Sequence, residues 1–278
     1  MKRILTLTDF SDLADQAIEI AFELAKKELG EVIILHQLEE DELFSIPMDQ
    51  SVPIDFIESE NEKKQSIIKK WRQKSQELGV KCTLILNSES LISSIKSVTE
   101  KLNIDFIVMS SVSEYERGDY HYFSNAQSVI KAVNCPVLVI KKRIASANFR
   151  KIVFASSFNQ KDQEVFKYFL QLLDFPKDTC IHLLAIDLPN AFSQPNVVMN
   201  EAMNDFAKIA SAYEVKTHFY KDISVDSGIR HFIQETNPDL LVMGNKFNKP
   251  LSHFLRGNHV LWNVARADCP ILTIDYEN

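Results

Sequence analysis

The chain has 278 residues, 45% of them hydrophobic and 25% charged, and a formal net charge of −7 at pH 7. These values are typical of a globular protein long enough for two domains of ordinary size. Because lysine and arginine are not clustered and no apolar run could span a bilayer, nucleic acid and membrane are excluded as main partners.

The N-terminus and the cysteines favour a cytoplasmic protein. Met1-Lys-Arg-Ile-Leu leads straight into an apolar run without the features of a signal peptide, so we expect no export. The four cysteines form no Cys-x-x-Cys pair, and two of them precede proline. They are Cys82, Cys135, Cys180 and Cys269. We expect reduced, buried thiols.

Short apolar runs and stretches of helical periodicity alternate through the first half. The runs predict strands at residues 4–7, 32–35, 82–86 and 106–109. The periodicity predicts helices at residues 12–25, 56–78 and 91–102. Ser11 is a candidate N-cap of the first helix, and the acidic residues 39–55 predict a loop.

The same alternation restarts after a charged linker at residues 141–150. Strands are predicted at residues 152–155, 181–186, 217–220, 240–243 and 271–274. Helical faces are predicted at residues 165–173, 198–213 and 229–233. The fold class is therefore α/β, with one doubly wound parallel sheet in each of two domains, residues 1–143 and 149–278.

Two stretches of the sequence carry identical residues at a constant offset of 134 positions, which indicates an internal repeat. The matched pairs are Asp105 and Asp239, Met109 and Met243, Cys135 and Cys269, and Pro136 and Pro270. Each stretch predicts a buried strand, a polar loop, a helix and a second strand after Cys-Pro. In a parallel sheet, the loop between a strand's carboxyl end and a helix is where phosphates bind.

The motifs of both repeats resemble those of the universal stress protein family. Leu5-Thr-Leu-Thr8-Asp9-Phe10-Ser11 is similar to the family's Pro-Thr-Asp-Phe-Ser, and the later loop follows the spacing Gly-x2-Gly-x9-Gly-(Ser/Thr). The likeness covers nearly the whole chain, twice. It implies a tandem member with the adenine nucleotide alpha hydrolase-like fold, in which each five-stranded parallel sheet has the strand order 3-2-1-4-5.

The resemblance places the phosphate loop in both repeats, but only the second keeps part of its chemistry. The family's glycine positions fall on Gly244, Phe247 and Gly257 in the second repeat, and on Ser110, Ser113 and Phe123 in the first. Glycine lets the backbone approach a phosphate closely. We therefore expect the second repeat to bind ATP or another phosphate-bearing ligand weakly, and Phe123 to exclude ATP from the first.

The following Ser/Thr position of the family holds Ser124 in the first repeat and Asn258 in the second. Either side chain could donate to a phosphate or cap the next helix. Lys246, Lys249 and Arg256 add positive charge to the second loop. Asn258 therefore joins the candidate binding residues.

The adenosine end shows the opposite pattern. The resemblance implies that an aspartate after the first strand contacts the adenosine part of the nucleotide. Thr8 and Asp9 keep this motif in the first repeat, whereas Ser157 takes the aspartate position in the second. Asp9 could equally be a turn residue beside a helix start. The candidate binding residues are therefore Gly244, Gly257, Asn258, Thr8 and Asp9.

The sequence contains no constellation for general acid–base catalysis and predicts no metal site. His121, His231, His253 and His259 lack metal-ligand spacing, and Ser156-Ser157 lacks a Gly-x-Ser-x-Gly elbow. We expect a non-catalytic regulatory or protective stress-response module with at most weak ATPase activity. The alternatives are an ATP-binding member with slow ATPase activity and a structural interaction protein with both pockets closed.

The resemblance also implies that the repeats pair through their last strands, at residues 137–140 and 271–274. The chain would then be an intrachain pseudo-dimer, because both strands would otherwise be apolar sheet edges. Dimerisation with a second copy is left open.

Overall fold

The computed structural model describes residues 2–38, 51–111, 125–189, 196–245, 260, 263 and 266–276. They fold into two compact units. The first unit takes the described residues up to 111 and residues 128–147, and the second takes residues 125–127 and those from 148 onwards. None of the helices formed by this part of the chain is long and apolar enough to cross a membrane.

The first unit is built on a sheet flanked by helices. Its strands are β1 Arg3–Thr8, β2 Glu31–Gln37, β3 Ser51–Pro53, β4 Lys81–Asn87, β5 Phe106–Ser110 and β6 Val137–Ile140. The helices between them in sequence are α1 Asp12–Lys27, α2 Glu62–Leu78, α3 Leu91–Leu102 and α4 Asn125–Ala132, of which residues 128–132 belong to this unit. The strand order is β3-β4-β2-β1-β5-β6. Without β3, this is the predicted order 3-2-1-4-5, and all five strands run parallel.

The second unit repeats this architecture. Its strands are β7 Lys151–Ala155, β8 Cys180–Asp187, β9 Glu214–Lys221, β10 Leu240–Asn245 and β11 Ile271–Asp275. Its helices are α5 Gln160–Leu172, α6 Asn196–Ile209 and α7 Val225–Thr236. The order β11-β10-β7-β8-β9 is again 3-2-1-4-5 when read from the other edge, with parallel pairing throughout. The predicted α/β fold class is confirmed.

The matched aspartates have the same structural task in both units. A carboxylate oxygen of Asp105 accepts the backbone N–H of Arg3 at 2.7 Å, and one of Asp239 accepts that of Lys151 at 2.8 Å. Each aspartate therefore holds the start of the central strand, β1 or β7, next to the start of the strand that pairs with it, β5 or β10. Its place in the repeat is explained by folding.

The prediction of five strands is wrong for the first unit. The short strand β3 pairs antiparallel with β4, through Val52 and Leu84 among others, in a segment that the sequence predicted to be a loop. Its three residues give no periodic signal. Pro53 is tolerated at its end because proline lacks only a donor that an edge strand can spare. Ile54 and Ile57 directly after it are buried, which anchors the segment.

Helix α2 begins at Glu62 rather than at Phe56. A single 3-10 turn covers Ile54–Phe56, and the side chain of Asn61 then caps α2 by accepting the N–H of Lys64 at 3.1 Å. The residues just before Glu62 are charged like those of the helix, so the sequence does not indicate where α2 begins. The N-cap predicted for α1 is confirmed, because the Ser11 hydroxyl accepts the N–H of Ala14 at 3.2 Å.

All four cysteines are free thiols. Cys82 and Cys269 are buried as expected, whereas Cys135 and Cys180 are only half-buried. Burial raises the pKa of the Cys82 thiol, and it raises that of Cys135 to about 12. These thiols are therefore protonated and poorly nucleophilic near neutral pH.

Gly228 lets helix α7 lie close to strand β8. A Cβ at this position would be 2.8 Å from Cδ1 of Ile186 and 3.1 Å from Cβ of Asp222. We expect Gly228→Ala to lower the free energy of unfolding by about 1–2 kcal/mol, since the added methyl group must displace Ile186. Urea denaturation measures the change. A gain of about 1 kcal/mol, which helix propensity alone predicts, would show that the close packing does not matter.

Candidate functional site

The site predicted from the sequence lies where the central strands of each sheet end. Among the five candidate residues, Thr8 is the last residue of β1, Asp9 follows it, and Gly244 lies in β10. Gly257 and Asn258 lie outside the described residues. The same holds for the other loop positions, which are Ser113, Phe123, Ser124, Lys246, Phe247, Lys249 and Arg256.

Thr8 and Asp9 both stabilise the turn between β1 and α1. The Thr8 hydroxyl accepts the N–H of Phe10 at 2.9 Å, and the Asp9 carboxylate accepts the N–H of Ser11 at 2.9 Å. Phe10 has φ of 57°, a conformation that costs energy for a residue with a side chain, so these bonds offset strain. Asp9 remains exposed. Asp9 is therefore a turn residue, which is one of the two roles that the sequence left open.

The second unit builds the same turn from other residues. The Ser156 hydroxyl accepts the N–H of Phe158 at 2.9 Å, as Thr8 does for Phe10. Phe158 has φ of 56°. Ser157 occupies the position of Asp9, and its hydroxyl donates to the Asp162 carboxylate at 3.0 Å. The carboxylate missing from the motif is thus supplied by Asp162, five residues later, which accepts the N–H of Asn159 at 3.2 Å.

Aromatic rings support the turn of the first unit from behind. The buried Phe10 ring stacks on Trp71 with centroids 5.4 Å apart, and it meets His36 edge-on at 4.8 Å. Trp71 donates its indole N–H to Asp15 at 2.7 Å, which ties α2 to α1. Lys64 lies over the Phe10 ring, with its Nζ 5.3 Å from the ring centroid. Phe10 therefore serves packing.

Asp162 is a buried carboxylate at the corresponding end of the second unit. It is 1% exposed. Its Oδ2 accepts hydrogen bonds from the Ser156 hydroxyl at 2.7 Å, the Ser157 hydroxyl at 3.0 Å and the Asn159 N–H at 3.2 Å. Asn159 caps α5 in return, in a reciprocal capping box. In the first unit the same helix position holds Ala14, so this carboxylate is particular to the second unit.

Gly244 lies within β10, whereas the sequence placed it just after the strand. A Cβ on Gly244 would be 2.7 Å from the Tyr276 hydroxyl oxygen and 2.8 Å from two of its ring carbons. The Tyr276 hydroxyl donates to Oδ1 of Asp162, and its backbone N–H donates to the Asn245 carbonyl at 3.3 Å. The glycine expected to face a phosphate therefore faces a tyrosine ring.

Another polar cluster lies where β9 meets α7. Asp222 accepts hydrogen bonds from the Ser227 hydroxyl and from His231, whose Nδ1 lies 2.7 Å from Oδ2. The bond from Ser227, and then that from His231, lowers the pKa of Asp222 to about 2. Because serine and histidine both bond to the carboxylate, the histidine does not stand between them as in a hydrolase triad. The other three histidines considered above lie outside the described residues.

Sequence reasoning missed Asp162 and Tyr276. Asn159 and Asp162 have the spacing of a capping box, which is a signal for the start of α5 but not for a site. Tyr276 contacts a residue 114 positions away, and nothing in its local sequence indicates that contact.

Comparisons with known proteins give one consistent result. The model of the Universal stress protein family matches residues 1–141. Universal stress protein MJ0531 of Methanocaldococcus jannaschii is 30% identical over 141 residues, which cover 51% of this chain and 82% of that protein. Universal stress protein Slr1230 of Synechocystis is 20% identical over 297 residues, covering 98% of this chain and 99% of that protein.

Solved structures extend the likeness to the whole fold. The crystal structure of a universal stress protein from Archaeoglobus fulgidus aligns with a TM-score of 0.64 and 16% identity, over 98% of this chain and 96% of that one. That of a putative universal stress protein from Pseudomonas aeruginosa aligns with a TM-score of 0.68 and 13% identity, over 99% and 93%. At these identities the likeness establishes the fold alone.

Proposed function

We propose that this chain, which belongs to the universal stress protein family, is a non-catalytic binding module with a regulatory or protective role in the stress response. It acts in the cytoplasm, which the four free thiols support. Its two nucleotide sites are degenerate, each in a different way.

The observation that carries this proposal is the ring of Tyr276 against Gly244. The ring fills the space beside the glycine that a phosphate would need. The buried Asp162 carboxylate behind it adds a negative charge, which opposes a second anion. Phosphate-bearing ligands, including ATP, therefore bind the second repeat weakly, with Gly244, Gly257 and Asn258 as the partial phosphate loop.

The first repeat differs because it keeps the side chains assigned to the adenosine end. Thr8 and Asp9 already accept hydrogen bonds within their own turn. A nucleotide would have to share these oxygens, and the positions where the family's phosphate loop has glycines hold Ser110, Ser113 and Phe123. This repeat is therefore degenerate at its phosphate end. Retention of Asp9 is the feature that favours the alternative, an ATP-binding protein with slow ATPase activity.

Calorimetric titration with ATP, combined with a phosphate-release assay, tests the proposal. We expect weak binding of ATP, with a dissociation constant of about 1 mM, and no release of phosphate above that of a heat-inactivated sample. No binding at millimolar concentration would instead favour a structural interaction protein with both pockets closed. Inorganic phosphate and adenosine are titrated separately, and phosphate should bind no more weakly than adenosine. ATP hydrolysis proportional to protein concentration, or tight ATP binding with adenosine as an effective competitor, would establish the alternative instead.

A further inference from the structure

The geometry points to Tyr276 as an intramolecular plug that closes the phosphate end of the second unit at Gly244. A phosphate-bearing ligand would reach Gly244 only after the phenol ring has left. This inference rests on the proposed function, because it takes a phosphate-bearing ligand as the occupant of the opened space. It adds the residue that determines whether that space is open.

The backbone and the hydroxyl of Tyr276 both make hydrogen bonds that position the ring. Tyr276 directly follows β11, and its N–H donates to the Asn245 carbonyl at 3.3 Å, so the backbone continues the sheet register. Its hydroxyl donates to Oδ1 of Asp162. The glycine at position 244 permits the close approach, because a Cβ there would overlap the hydroxyl and the ring at 2.7–2.8 Å. Gly244 thus has a reason to be glycine without any ligand.

The ring can leave without dismantling the sheet. Tyr276 is only half-buried, and it lies beyond the last residue of β11. Rotation about its side-chain bonds breaks the bond to Asp162 but leaves the three bonds to Oδ2 of that carboxylate. A hydrogen bond to a charged group corresponds to about a 10- to 100-fold change in an equilibrium, so the closed form dominates.

The plug predicts how binding responds to its removal. Affinity for a site that is rarely open is reduced by the open fraction. Tyr276→Phe keeps the ring but deletes the bond to Asp162, and it should tighten binding of inorganic phosphate about 10-fold. Tyr276→Ala removes the ring as well and should tighten binding further. Tyr213→Ala, which removes another half-buried tyrosine of the second unit, is the matched control and should leave phosphate binding unchanged.

The experiment titrates inorganic phosphate into the full-length chain and its variants, with circular dichroism as the check of folding. The plug is supported if both Tyr276 variants bind phosphate more tightly than the unaltered chain does. It is overturned if the folded Tyr276→Phe variant binds no more tightly, or if Tyr213→Ala gives the same gain. If Tyr276→Ala does not fold, Tyr276→Phe decides alone. The plug is judged by these affinity ratios and the proposed function by ATP turnover of the unaltered chain, so either can fail alone.

Discussion

Replacing Asp162 by alanine should lower the free energy of unfolding by about 3 kcal/mol. The carboxylate is 1% exposed and accepts from Ser156, Ser157 and the Asn159 N–H, with the Tyr276 hydroxyl on its other oxygen. Each hydrogen bond to a charged group is worth about 1.5–3 kcal/mol, and the gain from no longer burying a charge offsets part of the sum. Urea denaturation followed by circular dichroism measures the change.

Glu164 provides the matched control for this substitution. It is an acid on the same helix α5, two residues further on, and its side chain is exposed. Glu164→Ala should therefore change the free energy of unfolding by no more than about 0.5 kcal/mol. Equal effects of the two substitutions would mean that the hydrogen bonds of Asp162 do not stabilise the fold. Hydrogen exchange should also show faster opening at the start of α5 in the Asp162 variant alone.

The fold could be predicted from the sequence because its signals are local or repeated. Apolar runs mark the buried strands, and the residues repeated at an offset of 134 positions make equivalent hydrogen bonds in the two units. Ile107 donates its N–H to the Pro136 carbonyl at 2.9 Å, and Leu241 donates to the Pro270 carbonyl at the same distance. The cap at Ser11 is likewise a local interaction. Such features need no knowledge of distant residues.

The features that the sequence did not indicate depend on distant contacts. Strand β3 is placed by the burial of Ile54 and Ile57 and by Arg72, which donates to both of their carbonyls, and not by a pattern of its own. The contact of Tyr276 with Asp162 joins the end of the chain to α5. Glycine spacing predicted a phosphate at Gly244. It could not reveal that another side chain competes for the same space.

A pair of stacked histidines on the sheet of the second unit gives this unit a specific response to acid. His182 on β8 and His218 on β9 lie with parallel rings 4.9 Å apart, and Nδ1 of the first is 2.9 Å from Nε2 of the second. One ring must donate and the other accept, so at most one of them can be protonated without loss of this bond. Phe232 of α7 packs against both rings.

Burial and most of the charges around the pair lower the pKa values of the two rings. Burial, then His218, and then Lys216 and Lys151 lower the pKa of His182 to about 4, against a smaller opposing effect of Glu214. Burial and Lys216 also lower the pKa of His218. Between about pH 6.5 and pH 4 the unfolded chain therefore binds protons that the folded chain does not. Stability must fall as the pH falls through this window.

We expect the histidine pair to account for about 2 kcal/mol of stability lost between pH 6.5 and pH 4. The double variant His182→Gln and His218→Gln should show a correspondingly flatter dependence of the free energy of unfolding on pH. Carboxylates titrate in both proteins, so the difference between the two curves isolates the histidines. NMR titration of the His182 ring in the folded protein measures the pKa directly, and a value near 6.5 would contradict the argument.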